Sequence, residues 1–188
     1  MKLAQRHAAL NALGWRTNTP ARYRQSVRDF QRATGLTITG LCGPITQRRL
    51  AKALERKRQG LPDISEYYSA AEFACKCGGF YEDCRRIWIK RSTLVKINKT
   101  RRRYGKPLPI VSGCRCLPYN LRIGSMPGSR HVQGDAVDLP QLIFADRMIG
   151  YRLWTGIGTG SVSNSARHVD NRPSASVWNP IRWYYPGW

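Results

Sequence analysis

Glycine stands just past each of the first two apolar stripes, at Gly14 and Gly35, and confines the opening of the chain to short helices. Leu3, Ala8, Leu10 and Leu13 suit one amphipathic helix closed by Gly14. Val27, Phe30 and Gln31 suit a second over about residues 23–34, stopped by Gly35. After a turn through residues 40–44, Thr46 is the expected N-cap of a third helix carrying Leu50, Ala53 and Leu54. Three such helices make a small all-α bundle over residues 1–57, with a core that is marginal by itself. The polar, turn-rich residues 58–65 read as a linker and residues 66–188 as a second unit. That unit is expected to be α+β. Its helix runs over about residues 92–104, with Leu94, Val95 and Ile97 inward, and its strands cover residues 108–111, 136–139 and 166–169.

The chain has 32 Lys+Arg against 11 Asp+Glu, a formal charge of +21. A surface that repels itself this strongly points to a polyanionic target. Nucleic acid, anionic cell-wall polymers and lipopolysaccharide satisfy the same electrostatics, and charge does not choose among them. A hydrophobic fraction of 41% argues against wholesale disorder. No run reaches membrane-spanning length, and Met1-Lys2-Leu3-Ala4 is not followed by the apolar stretch of a signal peptide. Synthesis in the cytoplasm is therefore expected, with a wall substrate reached by outside help. The Cys75-x-Cys77 and Cys114-x-Cys116 pairs can cross-link or bind a structural metal. Neither has the C-x2-C spacing of a zinc knuckle, and disulfides or reduced packing thiols are the favoured reading. Trp183, Tyr184, Tyr185 and Trp188 are expected to close a core.

Two of the three histidines fall where a metal site would need them: His131 in Ser129-Arg130-His131-Val132-Gln133-Gly134-Asp135-Ala136-Val137-Asp138, and His168 in Ala166-Arg167-His168-Val169-Asp170. Two neutral imidazoles and one carboxylate suffice to hold a catalytic zinc. Strand alternation puts Asp138 on the face of Ala136 and turns Asp135 away. Gly134 permits the tight return of the chain from His131. From these residues by themselves, ordinary hydrogen-bonded His–Asp pairs are the competing reading.

Two resemblances add to this. Ser26-Val27-Arg28-Asp29-Phe30-Gln31, Gly35-Leu36 and Gly40-Leu41-Cys42-Gly43-Pro44-Ile45-Thr46 resemble the three-helix peptidoglycan-binding domain, with Thr39 where that family usually has Asp. Ser129-x-His131-x-x-Gly134-x-Ala136-x-Asp138 is similar at every fixed position to the signature of the zinc D-Ala-D-Ala carboxypeptidase family, the LAS-type metallopeptidases. That family shares its fold with vancomycin-resistance dipeptidases, several phage endolysins and the hedgehog signalling domain. Ser112-Gly113-Cys114-Arg115, Tyr119-Asn120, Gly156-Ile157-Gly158, His168-Val169-Asp170-x-Arg172 and Arg182-Trp183-x-Tyr185 resemble further family elements, in order.

The resemblance implies a hedgehog/D-Ala-D-Ala peptidase-like domain with a small antiparallel sheet and one catalytic Zn2+ held by His131, Asp138 and His168. It also implies that Arg115 pairs with a substrate carboxylate and Ser129 hydrogen-bonds the same region. Many relatives carry an acid three residues before the second zinc histidine, where this chain has Ser165. Asp170, two residues beyond His168 on a strand, is the expected general base, and a salt bridge to Arg172 is its competing role. The implied activity is hydrolysis of an amide in peptidoglycan stem peptides by a monomeric phage-type endolysin. It would be released by a holin and attracted to anionic envelope polymers, with nucleic acid not expected as a partner. The alternative is a non-catalytic wall binder that retains the zinc site.

Overall fold

The structure, a computed structural model, describes residues 1–160 and 164–185. Three helices open the chain: α1 (Leu3–Ala12), α2 (Pro20–Thr34) and α3 (Pro44–Arg58). α2 begins ahead of its apolar stripe because Thr19 caps it, its hydroxyl accepting from Arg22 N, and Pro20 presets the first turn. In α1, Leu10 is buried, as is Leu13 at its C-cap, whereas Leu3 and Ala8 are exposed. α3 is capped by Gly43 with Pro44 in its first turn, so Thr46 lies inside the helix. Its buried hydroxyl instead accepts from Gln31 Nε2 at 3.0 Å. Gln31 also donates to Leu41 O and accepts from the amides of Thr39 and Gly40, pinning the α2–α3 turn.

Of residues 58–65, Arg58 ends α3, residues 59–61 are exposed, and the segment packs only at Asp63 and Ile64. Ile64 is buried, and the buried Asp63 accepts from Ala70 N at 2.7 Å, just ahead of a single 3-10 turn at Ala70–Phe73. One continuous core runs from Leu10, Phe30 and Leu50 through Ile87 and Leu94 to Val137 and Val169. The opening helices therefore share apolar surface with the rest of the chain, which offsets the marginal size of a three-helix core.

The second half has α4 (Arg91–Tyr104), α5 (Leu117–Arg122) and α6 (Ala145–Gly150) around a four-stranded sheet. The strands are β1 (Ala136–Asp138), β2 (Gly156–Gly160), β3 (Ala166–Asp170) and β4 (Ile181–Tyr185), in the order β1-β3-β2-β4. β3 is antiparallel to both β1 and β2, but β4 runs parallel to β2, so the sheet is mixed and not antiparallel as expected. Residues 108–111 do not form a strand. Val111 N donates to Asp138 O and the next residue, Ser112, makes an isolated bridge to Asp138, after which Cys114 N turns to donate to Phe73 O. Among the described residues no helix is long and apolar enough to cross a membrane.

Candidate metal centre

Register brings the site together. β1 pairs with β3 so that Asp138 lies opposite His168. His131 arrives from the turn before β1, where Gly134 has φ +68° and a Cβ would collide with the carbonyl of Trp88. His131 Nδ1 lies 2.6 Å from Gly113 O. A carbonyl only accepts, so Nδ1 carries the proton and Nε2 keeps its lone pair. That Nε2 is 3.0 Å from Asp138 Oδ1 and 3.0 Å from His168 Nδ1, and the latter two atoms are 2.8 Å apart. Three donor atoms from three segments thus form a nearly equilateral triangle.

Burial lowers the pKa of His131 despite Asp138. Burial acts the same way on His168, but Asp138 and Asp170 outweigh it and raise that imidazole. Against its own burial, Asp138 is held well below the usual carboxylate range by the two histidines. Two imidazole nitrogens and an ionised carboxylate fit zinc, and an ion at bond lengths of about 2.0–2.1 Å reaches all three corners of such a triangle.

Asp170, the expected general base, is held by His168 and Arg172 at the edge of the cleft. It is fully buried, and its Oδ2 lies 3.2 Å from His168 Nε2, the ring nitrogen facing away from the other two ligands. The sheet explains this: Asp170 pairs with Ala136 on one side and Gly156 on the other, two register positions from the Asp138–His168 pair. Arg172 holds it through Nε at 3.0 Å and Nη2 at 2.6 Å. Gly156 makes the space, because a Cβ there would run into both Asp170 Oδ1 and Arg172 Nε. The ion pair with Arg172 is thus present, together with a carboxylate–histidine contact of the kind that orients metal ligands.

Arg115, expected to meet a substrate carboxylate, here contacts a carboxylate of the triangle. Its Nε donates to Ser112 Oγ at 2.9 Å and its Nη2 pairs with Asp138 Oδ2, so it grips the ligand carboxylate. Ser129 lines an open cleft of about 550 Å³ that reaches His168 and Asp170. Ser165 is buried and bridges to Phe144. Asp170 is the one carboxylate among the described residues lining that cleft. Trp183 does not close a core. It lines the cleft, with its ring centroid 5.3 Å from that of His168 and the Arg172 guanidinium 4.1 Å from its centroid. Tyr184 is 60% exposed, while the Tyr185 side chain and Trp188 lie outside the described residues.

All six cysteines are free thiols. Cys75, Cys77, Cys84 and Cys116 gather in a second cluster, whereas Cys114 stands apart with its sulfur accepting from Trp88 N. No local spacing foretold Cys84 in that group, and Cys116 joins it only through the tertiary fold.

Residues 66–149 match the family model described as Peptidase M15, a stretch that includes Arg115, Ser129, His131 and Asp138 and stops short of His168. The match supports a zinc metallopeptidase. No curated protein matches the chain.

Proposed function

We propose that the chain is a zinc-dependent peptidoglycan hydrolase of the endolysin type that cuts an amide bond in stem peptides. The observation that carries this reading is the triangle of His131 Nε2, Asp138 Oδ1 and His168 Nδ1 beside an open cleft. Zinc bound there supplies a Lewis acid for the scissile carbonyl and lowers the pKa of water toward neutrality. The chain's own residues hold and orient. Gly113 O fixes the tautomer of His131, Asp170 orients His168 from behind, and Arg115 braces Asp138. Ser129, Arg130, Arg172 and Trp183 wall the cleft, where an amide with nearby carboxylates meets donors, positive charge and an aromatic face.

Residues 1–57 would serve as the wall-binding unit. A groove of about 520 Å³ between α3 and α4 carries Arg49, Lys52, Arg56, Arg91, Lys99 and Arg102 against only Asp63 and Glu66. The lining carries more cations than acids, and burial, then the neighbouring Arg91 and Arg56, lowers the pKa of Arg49. Anionic envelope polymers suit it, and retention on them should weaken with salt. Action at the wall after holin-mediated release, as a monomer, completes the reading.

A second reading, a wall binder that keeps the metal without hydrolysis, is favoured by one observation: Ser165 replaces the acid and Asp170 is committed to His168 and Arg172. Mass spectrometry of muropeptides after digestion of purified sacculi separates the two. Zinc-loaded wild type should release stem-peptide fragments and His131→Ala should not. Retention on sacculi with no fragments from either protein would establish the binder.

A further inference from the structure

We propose that Cys75, Cys77, Cys84 and Cys116 form a second, structural zinc site in which four thiolates hold one ion. The inference is independent of the peptidase reading. A tetrahedral zinc with Zn–S bonds of about 2.3 Å separates its sulfurs by about 3.8 Å. Here Cys75 and Cys77 are 3.5 Å apart, Cys77 and Cys116 3.7 Å, and Cys75 and Cys116 3.8 Å. The Cys84 sulfur completes the set, with all four within 4.8 Å of one another. Disulfides would sort these sulfurs into bonded pairs, whereas near-equal distances among Cys75, Cys77 and Cys116 with Cys84 close by are what a shared central ion requires.

The surroundings suit a site of net negative charge. Backbone amides point at sulfur, Cys116 N at Cys75 Sγ and Arg86 N at Cys84 Sγ, both at 3.4 Å. Cations close around the loop as well: Arg16 donates to the carbonyls of Gly79, Tyr81 and Cys84, and Arg86 to Gly78. Such donors are what a dianionic tetrathiolate needs from its outer shell.

The ion also answers a structural question. Residues 74–86 contain no helix or strand, and Phe80 at their tip is 79% exposed, so little apolar burial holds them. Three of the four cysteines lie in this loop. The fourth, Cys116, caps α5 and directly follows Gly113–Arg115, which hold His131 and Asp138. The clasp therefore fastens the loop to the strip of backbone that orients the first metal centre.

The test uses the full chain with His131→Ala/His168→Ala, which removes the histidines of the first centre, and cobalt(II) as the probe. One equivalent of cobalt should bind with thiolate-to-cobalt charge transfer and the strong visible bands of a tetrahedral site, and zinc should displace it. Cys75, Cys77, Cys84 and Cys116 should gain reactivity toward a thiol reagent when a chelator is added, read by peptide mass spectrometry, whereas Cys42 and the buried Cys114 should not change. If that variant fails to fold, the same charge-transfer signal is read in the wild type, because cobalt on two imidazoles and a carboxylate lacks it. Cys77→Ser should weaken or abolish the band. Cobalt uptake without charge transfer, reactivity of these four thiols unchanged by a chelator, disulfides among them, or iron as the resident ion would each overturn the proposal.

Discussion

The two clusters gather metal-binding side chains by opposite means. His131, Asp138 and His168 are brought together by backbone: Asp138 and His168 face each other across two hydrogen-bonded strands, and His131 is anchored by Gly113 O. Cys75, Cys77, Cys84 and Cys116 are joined by a loop without regular structure and one helix cap. A site laid on a sheet keeps its shape without its ion, whereas a site in such a loop takes its shape from the ion. Removing metal should accordingly cost activity at the first and folding at the second.

The sharpest way to break this contrast is His168→Ala. Loss of several kcal/mol of transition-state stabilisation should lower muropeptide release by roughly a thousandfold or more. The melting temperature should stay within a few degrees of wild type, and a collapse in thermal melts would show that the sheet is not the scaffold it is taken to be. Cys77→Ser should give the reverse pattern. Several kcal/mol of stability at roughly 2–4 °C per kcal/mol for a chain of this size corresponds to a fall on the order of 10 °C. New cleavage within residues 74–86 should appear in limited proteolysis.

A finer test concerns the support behind the first site. Asp170→Asn keeps the shape but removes the charge behind His168, and should lower zinc affinity roughly 10- to 100-fold, measured by chelator competition. If affinity holds and only turnover falls, Asp170 acts in the chemistry and the orienting role is wrong. The smallest expected effect is from Gly156→Ala. Its methyl would press on the Asp170–Arg172 pair and should cost about 1–3 kcal/mol in denaturant unfolding, as overpacking does. The Cys cluster should keep its metal throughout.

Much of this was readable from the residues. Apolar spacing located α2 and α4, alternation selected Asp138 over Asp135, and Gly134 marked the tight return ahead of β1. Asp135 indeed turns away, to Lys90, Thr93 and Asn171. β2 was less readable, since its alternating glycines at 156, 158 and 160 carry no apolar pattern on one face. The start of α3 was misplaced because a favourable capping residue, Thr46, serves Gln31 and not the helix end.

What the sequence alone determined is which side chains share a face, because periodicities of 2 and 3.6 are local properties of the backbone. What those faces meet was decided by strand register and chain crossing. Asp170 shares a face with His168, yet pairing with Ala136 and Gly156 puts it behind the imidazole. Trp183 comes beside His168 because β4 lies parallel to β2, and Cys116 meets Cys75 across 41 residues. Contacts of that kind depend on how distant segments pack, and no local pattern encodes them.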